Sequence, residues 1–148
     1  MTKDELRALL DYYLPVESEP TIHLATCDNE APHVRPLTLV RDGLNLYFAT
    51  SRHSDKIRHV GLHREAEFSC LLETAGKLGC LRVAGRLSEV TGTPLQEAWR
   101  RASGYDASLH FAGGLDDPDL IAFRVEPTRA MLREPGKPEV ELDINLFS

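Results

Sequence analysis

Arg35, Thr50, Ser51, Ser54 and Lys56 are the residues whose types and order could do chemistry together. Alternation along His33–Val40 sets Arg35 on one strand face with His33, Leu37 and Leu39. A guanidinium among apolar neighbours is expensive to bury alone and usually meets an anion. Asp42-Gly43 is the strongest hairpin signal in the chain, and it joins that strand to Leu44–Thr50. A tight hairpin would place Arg35 beside Thr50, Ser51 and the turn that follows. Ser54 reads as the N-cap of a short helix to about Leu62, whose free N–H groups and dipole attract anions. Lys56 sits in the first turn of that helix, where a cation opposes the dipole unless a phosphate meets it. Guanidinium, ammonium, hydroxyls and helix N-terminus together suit a phosphate monoester. The same residues also fit a plainer account, in which Arg35 pairs with Glu30 or Glu73 while Arg52 and Lys56 are solvated.

The elements that must position these groups follow from local chemistry. Thr2 and Glu5 form a capping box, and Leu6, Leu9, Leu10 and Tyr13 share a helix face that Pro15 ends. Thr21–Thr26 reads as a strand, and Asp28-Asn29-Glu30-Ala31-Pro32 as a turn. Leu44–Thr50 alternates, with Leu44, Leu46, Phe48 and Thr50 opposite Asn45, Tyr47, Ala49 and Ser51. Glu67–Leu72 and Leu78–Val90 read as two further strands across a turn containing Gly76. Thr93-Pro94-Leu95-Gln96 resembles a second capping box, opening a helix through Trp99 that Gly104 stops. A loop with Phe111-Ala112-Gly113-Gly114 and Asp116-Asp117-Pro118 leads to a last strand, Leu120–Leu132, and the tail after Pro135 stays open. About six strands in hairpin succession with three short helices predict a mainly β, α+β domain: a six-stranded antiparallel split β-barrel with short flanking helices.

Bulk properties bound what such a domain does. The 148 residues, 42% hydrophobic and 27% charged, fit one domain over residues 1–148. A chain of this length hides roughly 70% of its unfolded surface and needs no disulfide or structural metal. The net charge of -6 argues against a general nucleic-acid or anionic-membrane binder. Cys27, Cys70 and Cys80 make an odd count without CxxC spacing, which fits a reduced, cytoplasmic setting. The acidic, amphipathic start is unlike a signal peptide, and no apolar run reaches the about 20 residues of a membrane helix. His59 and His63, four apart on the expected helix, lack an HExxH frame and a third ligand. They are expected to be solvated, and no metal is expected. Trp99 is expected in packing, and Asp116, Asp117 and Asp119 in a solvated turn.

The order Arg35-Pro36-Leu37, Asp42-Gly43, Tyr47-Phe48-Ala49-Thr50-Ser51 and Ser54-Asp55-Lys56 resembles the pyridoxamine 5'-phosphate oxidase-like FMN-binding split-barrel superfamily. Leu81-Arg82-Val83-Ala84-Gly85-Arg86 is similar to that family's fifth strand, and Phe111–Pro118 to a loop of its small general-stress-protein-like branch. The resemblance covers most of residues 20–132 and implies an FMN-binding homodimer with the flavin at the subunit interface. Carried over by position, Arg35 and Lys56 would hold the phosphate and Ser51 and Ser54 would add hydrogen bonds. Pro36, Leu37 and Thr50 would face the isoalloxazine ring. The implied activity is oxidoreduction, moving electrons from NAD(P)H to a small-molecule acceptor through the flavin. A non-catalytic flavin-binding or stress-related protein, or one holding haem or a deazaflavin, is the alternative within the same fold.

Several positions depart from the true oxidase. Val40 stands where the oxidase has a lysine, Asp55 where it has an arginine, and Cys80 where it has a glutamine near the flavin. The chain ends in Asp143-Ile144-Asn145-Leu146-Phe147-Ser148 without the oxidase's Arg-x-His. These departures imply a protein that is not a pyridoxamine phosphate oxidase.

Overall fold

The computed structural model describes residues 1–102 and 105–148. Helix α1 (Lys3–Tyr13) begins at the expected capping box: Thr2 accepts from the Glu5 N–H, and Glu5 reaches back to the Thr2 N–H. Its face of Leu6 and Leu10, both fully buried, packs into the main core. The strands are β1 (Thr21–Cys27), β2 (Pro32–Thr38), β3 (Val40–Asp42), β4 (Asn45–Ser51), β5 (Glu65–Thr74), β6 (Lys77–Val90), β7 (Leu120–Arg133) and β8 (Val140–Leu142). Helix α2 (Asp55–Leu62) follows β4, and α3 (Gly92–Arg101) follows β6. Every pairing is antiparallel, in the order β2-β1-β5-β6-β7-β4-β3, with β8 added beside β7. The architecture is a curled antiparallel sheet, mainly β, with short helices, and it has eight strands where six were expected. The two additions are β3, split from the expected second strand, and β8 in the tail.

The largest correction concerns His33–Val40. That stretch does not run on into the Asp42-Gly43 hairpin as one strand. It breaks at Leu39, whose N–H donates to the Pro20 carbonyl 2.8 Å away. Strand β2 then pairs with β1, Arg35 opposite Leu24, while β3 alone forms the hairpin with β4 around Gly43 at φ 60°. Arg35 is therefore not the hairpin neighbour of Thr50 or Ser51. The sheet's ends reach each other by curling, which brings β2 against β4. Long-range pairing has overridden a correct local turn signal.

Both faces of β4 are covered, which explains its clean alternation. Leu46 and Phe48 enter the main core with Phe68, Leu81 and Phe123. Tyr47 and Ala49 face a second cluster beneath α3, built on Leu95, Ala98 and Trp99. Trp99 is thus a packing residue, as expected. Helix α3 starts two residues earlier than the Thr93 capping box implies: Thr91 is the N-cap and its side chain makes no capping bond. Pro94 is tolerated because N–H groups in the first turn have no intrahelical partner anyway. The expected stop at Gly104 lies outside the described residues.

The long strands β6 and β7 shift register between Ala84 and Gly85, opposite Pro127, which has no N–H to give the ladder. A Cβ on Gly85 would lie 2.5 Å from the Glu126 carbonyl oxygen, so only glycine allows this approach. Cys70 is buried in the core and its thiol is pushed up to about 12 by burial, while Cys80 is part-buried; both are free. No helix among the described residues is long and apolar enough to cross a membrane.

Arg41 was not anticipated. It is 4% exposed, and its guanidinium donates to the Gly43 carbonyl at 2.8 Å, the Leu14 carbonyl at 3.1 Å and Asp11 at 2.8 Å. It ties the end of α1 to the β3–β4 hairpin. Arg41→Ala should lower the unfolding free energy by about 2–3 kcal/mol, since two buried carbonyls lose their donor. Arg52→Ala, which removes an exposed pair with Glu89, should cost less than about 1 kcal/mol. Urea denaturation of the two variants measures the difference.

Candidate functional site

Helix α2 organises the site. Ser54 is its N-cap with extended backbone, as expected, yet its hydroxyl makes no capping bond. The Ser54 Oγ is buried and has no hydrogen-bond partner among the described residues. A buried hydroxyl without a partner loses its water and gains nothing in exchange. Lys56, in the first turn, is part-buried and held below the usual lysine range, first by burial and then by the charge of Arg35. Asp55 opposes both effects. Burial likewise lowers Arg35, again against Asp55. The curled sheet has brought the guanidinium and the ammonium into each other's field at a helix N-terminus.

Arg35 is held from behind by neutral groups. One Nη donates to Thr26 Oγ1 on β1, and the other lies 3.4 Å from His59 Nδ1 on α2. Neither Glu30 nor Glu73 pairs with it, so the plain ion-pair account of Arg35 does not hold. His59 corrects another expectation. It is 1% exposed, not solvated, and its Nδ1 lies 3.0 Å from Thr26 Oγ1. Burial first, then His33, Arg58 and Arg35, lower its pKa. The spacing from Lys56 to His59 is the signal that could have found it. Residues three apart share a helix face, and Lys56 was already assigned to the site. His63, its expected companion, is part of a separate contact with Asn29 at 3.0 Å.

The remaining residues divide. Thr50 is buried at the end of β4. Ser51 is present at the turn, but its hydroxyl donates to both carboxylate oxygens of Asp119 at 2.9 Å. The Asp119 carbonyl also accepts from the Arg52 N–H at 2.7 Å, locking the turn to the start of β7. Pro36 and Leu37 lie on β2 beyond Arg35, Pro36 exposed and Leu37 packed partly against the core. His53 is mostly exposed, 3.5 Å from Asp119. Asp117 caps its own loop, accepting from the Gly113 and Asp119 N–H groups. The structure thus gathers Arg35, Ser54 and Lys56, and commits Ser51 elsewhere.

A curled antiparallel sheet with two cations near the N-terminus of α2 is the split-barrel class of protein. The chain belongs to the pyridoxamine 5'-phosphate oxidase family, whose model matches residues 2–133. It is 28% identical over 132 residues to General stress protein 26 of Bacillus subtilis (strain 168), covering 82% of this chain and 85% of that one. Among solved structures, General Stress Protein 26 from Bacillus anthracis str. Sterne superposes with a TM-score of 0.68 at 19% identity, over 93% of this chain and 99% of that one. A heme binding protein from Mycobacterium smegmatis superposes with a TM-score of 0.79 at 14% identity. That match covers 99% of this chain but 60% of the other, and at such identities the likeness is one of fold.

The contrast between the two serines is measurable without any ligand. Ser54→Ala removes an unpartnered buried hydroxyl and should leave stability unchanged or raise it by up to about 1 kcal/mol. Ser51→Ala loses the bonds to Asp119 and should lower stability by about 1–2 kcal/mol. Thermal or urea unfolding of the two variants distinguishes them.

Proposed function

We propose that this protein binds FMN through its phosphate at the N-terminus of α2 and uses it for oxidoreduction. The observation that carries the reading is the buried Ser54 hydroxyl, without a partner among the described residues, at the helix N-terminus where Arg35 and Lys56 repel each other, a repulsion that an anion would reverse. The residues fit the group. Arg35 offers a fork of donors, Lys56 a point charge, Ser54 a free hydroxyl, and the first turn of α2 its N–H groups. Ser51 would add a bond only by giving up Asp119. Thr50, Pro36 and Leu37 would border the ring.

Bound flavin supplies hydride and electron transfer, here between NAD(P)H and a small-molecule acceptor. The chain's own share is to fix the phosphate, shield the ring and set the charge around it. A second copy of the chain would cover the ring in a homodimer with the flavin at the interface. The Asp119 carboxylate next to Ser51 opposes the phosphate, and so works against affinity.

The absorbance spectrum of the purified protein, before and after adding FMN, tests the reading. Bands of bound flavin are expected, and they should vanish in Arg35→Ala/Lys56→Ala with the fold retained. A Soret band in place of flavin bands would instead favour haem, the ligand named for the Mycobacterium smegmatis protein. No response to excess FMN would defeat the proposal. Stopped-flow mixing with NADH and NADPH separates an oxidoreductase from a flavin store, because a store binds flavin that is never reduced. Asp119→Asn should tighten FMN binding by up to about fivefold, the size expected for removing one part-exposed charge.

Val40 is 1% exposed in the cluster beneath α3, which removes the oxidase's lysine from this site. The tail, in turn, pairs as β8 and buries Phe147 in the core. Pyridoxamine 5'-phosphate with oxygen should therefore show no turnover above background in a peroxide assay.

A further inference from the structure

We propose that Asp28, His33 and His59 form a binding site for one divalent transition-metal ion of the zinc class, separate from the phosphate recess on the far side of Arg35. A ligand atom from each of the three residues lies within 4.8 Å of the other two. They come from three elements: Asp28 opens the β1–β2 turn, His33 stands on β2 and His59 on α2. The arrangement is therefore made by the tertiary fold, not by a local motif. It differs from the His59/His63 pairing that helix spacing alone would offer.

Each ligand is already oriented. Asp28 Oδ1 accepts the Glu30 and Ala31 N–H groups, both at 2.8 Å, and this turns Oδ2 toward His33 Nε2, 3.1 Å away. The His33 and His59 rings lie 4.6 Å apart with a 33° tilt, side by side on one wall. His59 presents Nε2 to Arg58 Nη2, 3.2 Å away, and Nδ1 to Thr26 Oγ1 and Arg35 Nη2, 3.0 and 3.4 Å away. Thr26 Oγ1 thus holds the ring through Nδ1 and leaves Nε2 on the side of the flexible Arg58. The Thr26 contact is the kind of outer hydrogen bond that orients a ligating histidine.

Two imidazoles and one carboxylate suit Zn²⁺ and its neighbours in the first transition row, leaving a fourth position to water. Arg58 is the group in the way, and its side chain is 62% exposed and can swing into solvent. Arg35 is kept to one side by its bond to Thr26. Both cations weaken the site's affinity, which makes the Asp28 charge essential to it.

The test is titration of the metal-free, flavin-free full chain with Zn²⁺ by calorimetry and with Co²⁺ by visible absorbance. One ion per chain is expected, with cobalt d–d bands of a four-coordinate nitrogen and oxygen site. Asp28→Asn keeps an oxygen to accept the two backbone N–H groups, and His33→Gln lies on a part-exposed strand face, so both variants should fold. Each should lose more than about 100-fold in Zn²⁺ affinity and lose the cobalt bands, since even outer-shell losses weaken metal sites about 10- to 100-fold. His63→Gln should bind as the unaltered chain does. Absence of binding to the unaltered chain, or retained affinity in either Asp28→Asn or His33→Gln, would overturn the assignment. Because no flavin is present, the result stands apart from the fate of the FMN reading.

Discussion

Arg35 and Lys56 repel each other, and the fold spends both on one recess. Burial withdraws water from the pair, and each charge makes the other less favourable. Asp55 offsets part of this, but Arg35's hydrogen bonds go to the uncharged Thr26 and to His59. The surrounding structure must therefore hold the cations together against their preference. The same recess leaves the Ser54 hydroxyl dry and unpartnered. Cations gathered at a helix N-terminus, whose free N–H groups already carry positive character, raise the local attraction for an anion. A stability-optimised surface would have dispersed the charges.

Holding the recess requires the sheet to curl. Strand β2 carries Arg35 at one end of the strand order, and β4, next to β3 at the other end, leads into α2. Only closure between those ends puts Arg35 over the first turn of α2. Closure in turn depends on the bulge at Ala84/Gly85, where β6 and β7 change register, and on a core that fills the interior with Phe48, Phe68 and Phe123. The two clusters on either side of β4 keep that strand from shifting. A slip by one residue would exchange Leu46 and Phe48 for Tyr47 and Ala49 and empty both. Arg41 completes the frame by bridging α1 to the hairpin through backbone carbonyls that would otherwise be buried without donors.

What could be read from the sequence was the chemistry that acts over a few residues. The Thr2–Glu5 capping box, the Gly43 turn and the Ser54 N-cap are local, and each stands where the residues indicated. Arg35 and Lys56 do lie within each other's field at the start of α2, although for a reason the sequence could not supply. The hairpin was thought to bring Arg35 to the turn, whereas curling of the sheet does. Partner choice between strands is a long-range matter, and Leu39 breaks its strand through a bond to Pro20 that no local pattern announces. The misplaced capping box at Thr93 has a different cause, because a threonine three residues before a glutamine fits a helix's first turn as well as its cap. The burial of His59 and Arg41 was not legible, because polar residues are usually exposed, although the spacing of His59 from Lys56 marked its helix face. Each is buried only because other elements bring partners to it.

His59 links the two halves of the region. Thr26 Oγ1 takes a hydrogen bond from Arg35 and stands 3.0 Å from His59 Nδ1, so one hydroxyl serves the guanidinium on one side and the imidazole on the other. Arg35 and His59 thereby fix each other's orientation through a single oxygen. Whatever occupies the recess in front of Arg35 presses against a group braced by β1 and α2 together. The brace continues through His33 to Asp28, whose carboxylate is pinned by the turn that joins β1 to β2. The strand that carries Arg35 is thus anchored at its start by Asp28 and His33, while Thr26 and His59 steady the guanidinium from behind.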